Sequence, residues 1–492
     1  MKKTMSCFLA LLASVFAYAQ VDVSDKYLPN QDPILSTIED YVNPDRYRGI
    51  LLNRFLSYVQ VDSQSVEGEN GAFVLSPEVS HTADLLYAEL QSMLSNNSSH
   101  ATVDMSQWKY IYVHFPSNLP RKVTKRTPKL GFSCHYDVTP EEEGHNVKPQ
   151  VHKNYNGGIL WINKGLNMAL NPGLEQGEQA APYLKQLVGE TIVTSDGTTL
   201  LGADDKAGVS ILMTTIQTLI EHPEIPHGEL QIVFTPNEDV GQSADYLSLK
   251  GAPEHLRFTP DIAFDFDGQV DGQIMVENFT AVNYEINIPG RNYHAMNAKQ
   301  VDGLSAIMLQ AAAIEALPES WLPWNSEGYE DYVDPYELEA NVSHASIKIR
   351  SRGFDPKDLQ AHEQRIAEVL DSLNAKYRTH MTYTRVFDYD NVGNGVSPLA
   401  WPIAWAAVTA SGATPHPQAI RAGTTLAMMY ARSQENAQDD EPAITGYTYF
   451  TGQQNEHTRY EWLSEKDMFL AYKTALNTVL QVIEQSTKRA SR

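Results

Sequence analysis

Apolar residues recur at helical spacing in two early stretches, residues 47–59 and about 80–94, and both are expected to be helices. β-rich runs follow at 110–115 and 129–135. Residues 139–188 then form a long excursion punctuated by Gly and Pro and carrying Glu141-Glu142-Glu143. A loop of that length inside a domain is more often functional than idle. Residues 198–201 suit a short buried strand, and Val209 onward an apolar helix. Further strands are expected at 229–234 and 262–266. From about Thr280 the texture changes: Val282, Tyr284, Ile286 and Ile288 alternate with polar residues, as in a half-exposed antiparallel strand. A helix over about 303–317, a Trp/Pro/Tyr-rich loop, a strand at 345–350, a helix opened by Asp355-Pro356 and a strand at 381–387 follow. Helical segments return from Leu399, and the last covers about 465–486. The expected class is α/β. A larger unit with a mixed, largely parallel sheet uses residues 20–279 and 396–492, and a small α+β, ferredoxin-like domain is inserted at 280–395.

Composition adjusts this picture in four places. The 492 residues are too many for a single core, in keeping with two domains. A formal charge of −24 argues against nucleic acid and anionic membrane surfaces as partners. Residues 1–19 read as a signal peptide: Lys2 and Lys3, an apolar run from Cys7 to Phe16, then Ala17-Tyr18-Ala19 before Gln20. The mature chain is therefore expected to be exported, to a periplasm or beyond. No stretch is long and apolar enough to predict insertion into a membrane. Of the two cysteines only Cys134 lies outside the leader, so stability is expected from core burial, helped by metal.

Candidate chemistry gathers at expected strand ends: His135/Asp137, Asp204/Asp205, Glu238/Asp239 and Asp267. Asn455-Glu456-His457 adds a second histidine near the C-terminus. Taken singly, each is ordinary; an acid pair such as Asp204-Asp205 is usually a helix cap. Four strand ends all bearing Asp, Glu or His are different, because parallel strands converge such residues on one rim. Many carboxylates with two imidazoles suit two zinc ions, with cobalt or manganese as alternatives. One carboxylate would bridge them over an acidified water. Alternation lets Asp137 hold His135 from behind, and Glu238 and Asp239 can divide proton transfer and ligation.

The ordered blocks resemble peptidase T, the tripeptide aminopeptidase branch of the co-catalytic zinc family that includes aminoacylases and carboxypeptidases. They are Gly131-Phe-Ser-Cys-His135-Tyr-Asp137, Thr194 to Gly208 with Gly-Ala-Asp204-Asp-Lys-Ala-Gly208, Ile225-Pro-His-Gly-Glu-Leu, and Phe234-Thr-Pro-Asn-Glu238-Asp239-Val-Gly241. Asp265-Phe-Asp267-Gly268, Glu277-Asn-Phe279, Arg421-Ala-Gly-Thr and Phe450-Thr-Gly…His457 complete the set. The resemblance implies a zinc-peptidase catalytic domain with an inserted lid. It implies Asp204 as the bridge, His135 and Asp267 on the first metal, and Asp239 and His457 on the second. Glu238 becomes the general base, Asp137 the residue that orients His135, and Asp204–Asp205 a cis peptide. His294 would stabilise the oxyanion, and Arg352 and Arg421 would take the carboxylate of a short peptide. Monomer and homodimer both stay open.

Departures from that pattern are local. Asp239 stands where the family usually has Glu, His294-Ala295-Met296 replaces His-Pro-Gly, Thr425 and Leu426 replace Asp-Gly, and residues 434–441 form an acidic insertion. An aminoacylase or dipeptidase, and a catalytically decayed peptide binder, are the competing expectations.

Overall fold

The computed structural model describes residues 20–95, 100–249, 252–435 and 443–491. The expected leader lies outside them, as does most of the 434–441 insertion.

A nine-stranded mixed sheet forms the larger unit. At its centre four neighbours run parallel: Gly446–Phe450, Ile262–Gly268, Leu130–His135 and Leu230–Thr235. Their side chains are almost wholly buried on both faces, which is why these segments read as continuous apolar runs. Gln273–Asn278 and His416–Ile420 extend one edge, and Gln20–Asp22 closes it antiparallel to His416–Ile420. Ile111–Phe115 and Thr102–Met105 close the other.

The Ala203–Glu221 helix lies against strands Leu130–His135 and Ile262–Gly268, with Asp45–Tyr58 and Glu465–Ser491 beside it. Its approach is close enough that a Cβ on Gly208 would meet the Phe266 carbonyl oxygen at 2.3 Å and the Asp205 carboxylate at 2.5 Å. Only glycine fits there. Gly202 opens the helix at φ +76°, a left-handed conformation that side chains resist.

Two expectations are corrected in this region. Residues 198–201 form no strand. Their backbone hydrogen bonds go to the Glu143 carbonyl, from Leu200, and to the Glu461 carboxylate, from Leu201. The strand is instead Ile192–Thr194, in a separate four-stranded sheet with Gln150–His152, Trp462–Ser464 and Gln453–Gln454. Nor is 139–188 structureless. It contains a two-stranded ribbon, Leu160–Asn163 with Met168–Leu170, and a core of its own around Tyr155, Leu184 and Trp462.

The second domain is built on strands Thr280–Pro289, Tyr332–Ala340, His344–Gly353 and Thr382–Tyr389, with helices Ala306–Glu315 and Pro356–Tyr377. The order is β-α-β-β-α-β, and the sheet has Tyr332–Ala340 and Thr382–Tyr389 on its edges. Its apolar core is separate from that of the large unit. The expected Trp/Pro/Tyr-rich loop thus contains a strand. Tyr332–Ala340 escapes periodicity because it is a largely exposed edge with a bulge at Pro335, a place where proline is tolerated. Asn278 and Asn391 lace the two crossing points: Asn278 Oδ1 accepts from Val392 N at 2.9 Å, and Asn391 Oδ1 from Asn278 N at 3.3 Å.

Candidate metal centre

Three of the central parallel strands deliver the site directly. His135 ends Leu130–His135, Asp267 lies at the end of Ile262–Gly268, and Glu238 and Asp239 follow Leu230–Thr235 after one turn. The fourth, Gly446–Phe450, leads into the loop that carries His457. Asp204 comes from elsewhere: it sits in the first turn of the Ala203–Glu221 helix, at a cis Asp204–Asp205 peptide, and not at a sheet strand end.

Asp204 faces two imidazoles with its two oxygens. Oδ1 is 2.9 Å from His135 Nε2, and Oδ2 is 3.5 Å from His457 Nε2. On the first side Asp267 Oδ1 is 3.9 Å from His135 Nε2. On the other, Asp239 Oδ1 is 2.8 Å from His457 Nε2. The ligand atoms of Asp204, Asp239 and His457 lie within 4.8 Å of one another, and so do those of His135, Asp205 and Asp267. Behind His135, Asp137 Oδ1 is 3.4 Å from Nδ1. The same carboxylate accepts the backbone N–H of Glu238 (3.1 Å) and of Asp239 (3.3 Å), tying the two strand ends together.

Crowding of acids governs the electrostatics. Burial, then the Asp239, Asp204 and Asp137 charges, push Glu238 up to about 8. Asp239 rises to about 6, chiefly by burial, and Asp267 well above the usual carboxylate range for the same reason. Asp204 goes the other way. Burial opposes its charge, but hydrogen bonds from His135 and His457 hold it below the ordinary range. Both histidines are raised: burial disfavours their charge, and carboxylate hydrogen bonds outweigh it. Asp239 Oδ2 is buried without a hydrogen-bond partner among the described residues. Hard oxygen donors, two imidazoles and excess buried negative charge fit a pair of divalent cations.

The remaining candidates are not drawn into this cluster by any described contact. His294 is exposed on the smaller domain, its Nδ1 accepting from Met296 N at 3.2 Å. Arg352 is buried within its own domain and gives its Nη donors to Val282 O, Asn283 Oδ1, Ser351 O and Asp388 Oδ2. Arg421 donates to Gly328 O (2.9 Å), Glu330 O (2.6 Å) and Ser326 Oγ (2.5 Å), clamping a loop of the smaller domain. Here both forks grip the chain itself.

Sequence reasoning overlooked Glu461. It is buried, and its carboxylate accepts from the backbone N–H of Leu201 (2.7 Å), Gly202 (2.6 Å) and Asp204 (3.0 Å), holding the turn that presents Asp204. A lone acid opening the apolar Trp462-Leu463 run was its only signal. Asp205 accepts from Gly208 N and His135 N, and Lys206 Nζ donates to Val61 O, so both support the turn.

The fold is that of known metallopeptidases. The aminopeptidase PepT of Bacillus cereus superposes with a TM-score of 0.64 over 90% of this chain and 99% of that one, at 19% identity. A Bacillus subtilis protein described as a dinuclear metal binding peptidase gives 0.58 over 90% and 99%, at 14% identity. No family model matches the sequence. Whole-length relatives do. Peptidase T of Halothermothrix orenii is 32% identical over 437 residues, 88% of this chain and 98% of the relative. Peptidase T of Clostridium novyi is 31% identical over 447 residues, 89% and 99% respectively. The chain belongs to the peptidase T family.

Proposed function

We propose that the protein is an exported dinuclear zinc metallopeptidase that removes the N-terminal residue from short peptides, tripeptides foremost. The observation that carries this reading is the two-sided placement of Asp204, one oxygen toward each histidine. In this reading His135 and Asp267 would hold one zinc and Asp239 and His457 the other, with Asp204 placed to serve both and cobalt or manganese as substitutes. Bound there, the ions would acidify a shared water and polarise the scissile carbonyl.

The chain's own groups do the rest. Glu238 takes the proton of the attacking water and returns it to the leaving amine. In the metal-free chain burial and the Asp239 and Asp204 charges raise its proton affinity, and cations bound to those acids would draw it back toward the ionised form that a base needs. Asp137 keeps His135 and the 238–239 turn in register. His294 would meet the oxyanion on closure of the smaller domain, acting as a lid. For Arg352 and Arg421 to bind a peptide carboxylate, each must exchange partners it holds here. The charge of −24 argues against nucleic acid as a partner, and no described helix is long and apolar enough to cross a membrane. Export rests on the leader-like residues 1–19.

A panel of free and N-acetylated di-, tri- and tetrapeptides tests the reading. Cleavage of free-amine tripeptides ahead of the others is expected; cleavage only of acetylated substrates would replace it with an acylase. Glu238→Ala should keep two zincs per chain by elemental analysis and lose hydrolysis. Turnover retained in that variant removes Glu238 as the base. N-terminal sequencing of the protein recovered from a periplasmic fraction should begin at Gln20.

A further inference from the structure

We propose that Glu141 is a positioning residue for His457, fixing the imidazole so that Nε2 is presented to the second cation. The proposal rests on the dinuclear reading and adds to it a residue of the acidic run in the 139–188 excursion. Each imidazole has a carboxylate behind its Nδ1, within hydrogen-bond geometry at His457 and at a looser ion-pair distance at His135. His135 turns Nε2 to Asp204, while its Nδ1 faces Asp137 Oδ1 at 3.4 Å. His457 turns Nε2 to Asp239 and Asp204, while its Nδ1 faces Glu141 Oε2 at 3.1 Å. Asp137 and Glu141 lie on one segment, so the chain leaving strand Leu130–His135 supplies a ligand, its own orienting acid and the orienting acid of the opposite ligand.

A neutral imidazole ligates through one nitrogen, and the partner of the other decides which. An acceptor at Nδ1 keeps the proton there and leaves the Nε2 lone pair for the metal. His457 needs such a hold: it is half-buried on a loop, at φ +60°. The adjacent acid adds a second grip, since Glu142 Oε1 accepts from Arg459 Nε at 2.8 Å. Gln64 Nε2 anchors the acidic segment in turn, donating to Thr139 O (2.9 Å) and Glu142 O (2.5 Å). Asp239 is one methylene shorter than glutamate, so the orientation of His457 bears more of the second site. Glu141 is 71% exposed at its side chain, which puts the expected effect at the low end of its range.

The test is calorimetric titration of zinc into the metal-free full chain, with cobalt absorption as a second readout. Wild type should bind two equivalents; fewer than two would sink the dinuclear reading itself. Glu141→Gln should leave the first equivalent unchanged and weaken the second about tenfold. It should also alter the cobalt bands of the second ion only, with Glu141→Asp restoring part of the affinity. Glu142→Gln is the control, because it slackens the same loop without touching the imidazole. A second-site affinity unchanged in Glu141→Gln overturns the proposal, as does an equal loss in Glu142→Gln or an equal loss at both sites.

Discussion

Removing Glu461 should unsettle the turn under Asp204 in a graded and calculable way. Its buried carboxylate is the acceptor for three backbone N–H groups, at 2.7, 2.6 and 3.0 Å. In Glu461→Ala all three lose their partner, and an unsatisfied buried donor costs about 1–3 kcal/mol. Part of that is offset, because burial and the neighbouring Asp204 charge push Glu461 up to about 8 and removing it relieves that cost. A net loss of about 3–5 kcal/mol follows. Glu461→Gln keeps one oxygen for Leu201 and Gly202 but turns an NH2 against the N–H of Asp204. About 1–3 kcal/mol is expected there. Urea unfolding of the metal-free protein at pH 7, followed by tryptophan fluorescence, gives the comparison. Only the transition of the large unit counts, since the smaller domain has its own core. An Ala variant within about 1 kcal/mol of wild type, or a Gln variant as damaging as Ala, refutes the reasoning.

The metal-free protein should lose stability as pH rises from about 4.5 to 8. Glu238 and Glu461 are held near 8, Asp265 and Glu456 near 7 and Asp239 near 6, all chiefly by burial, so the native state binds protons that the unfolded chain has released. Thermal melts across that range should show the decline, zinc should flatten it, and a rise would contradict the site's electrostatics. Arg421→Lys keeps the charge but not the fork on Ser326, Gly328 and Glu330. Losing about 2 kcal/mol of hydrogen bonding should raise opening of that loop roughly 30-fold, read as faster proteolytic cleavage between 326 and 330. Unchanged cleavage would show that the clamp is dispensable.

Much of the large unit is legible because parallel strands buried on both faces must be apolar and must end in loops on one rim. His135, Glu238, Asp239 and Asp267 fall there for that reason. Asp204 is reached by its motif, but through a strand that does not exist, since the residues feeding it bond to a carboxylate 260 positions away. Glu461 leaves almost no trace and Glu141 shows only as part of an acidic run, because their partners are backbone N–H groups and an imidazole distant in sequence. Arg352 and Arg421 expose a different limit. A guanidinium fork fits a substrate carboxylate and the chain's own carbonyls equally well, and spacing does not distinguish them.

The order in which the centre is assembled has a consequence for biosynthesis. His135, Asp204, Glu238, Asp239 and Asp267 precede the inserted domain, whereas His457 and Glu461 follow it, close to the last helix. A nascent or truncated chain that stops within the insert holds most of the acids but neither the second histidine nor the acceptor that shapes the Asp204 turn. If the centre works as proposed, hydrolytic competence would therefore arrive only at the close of synthesis, and incomplete copies would carry no licence to cut.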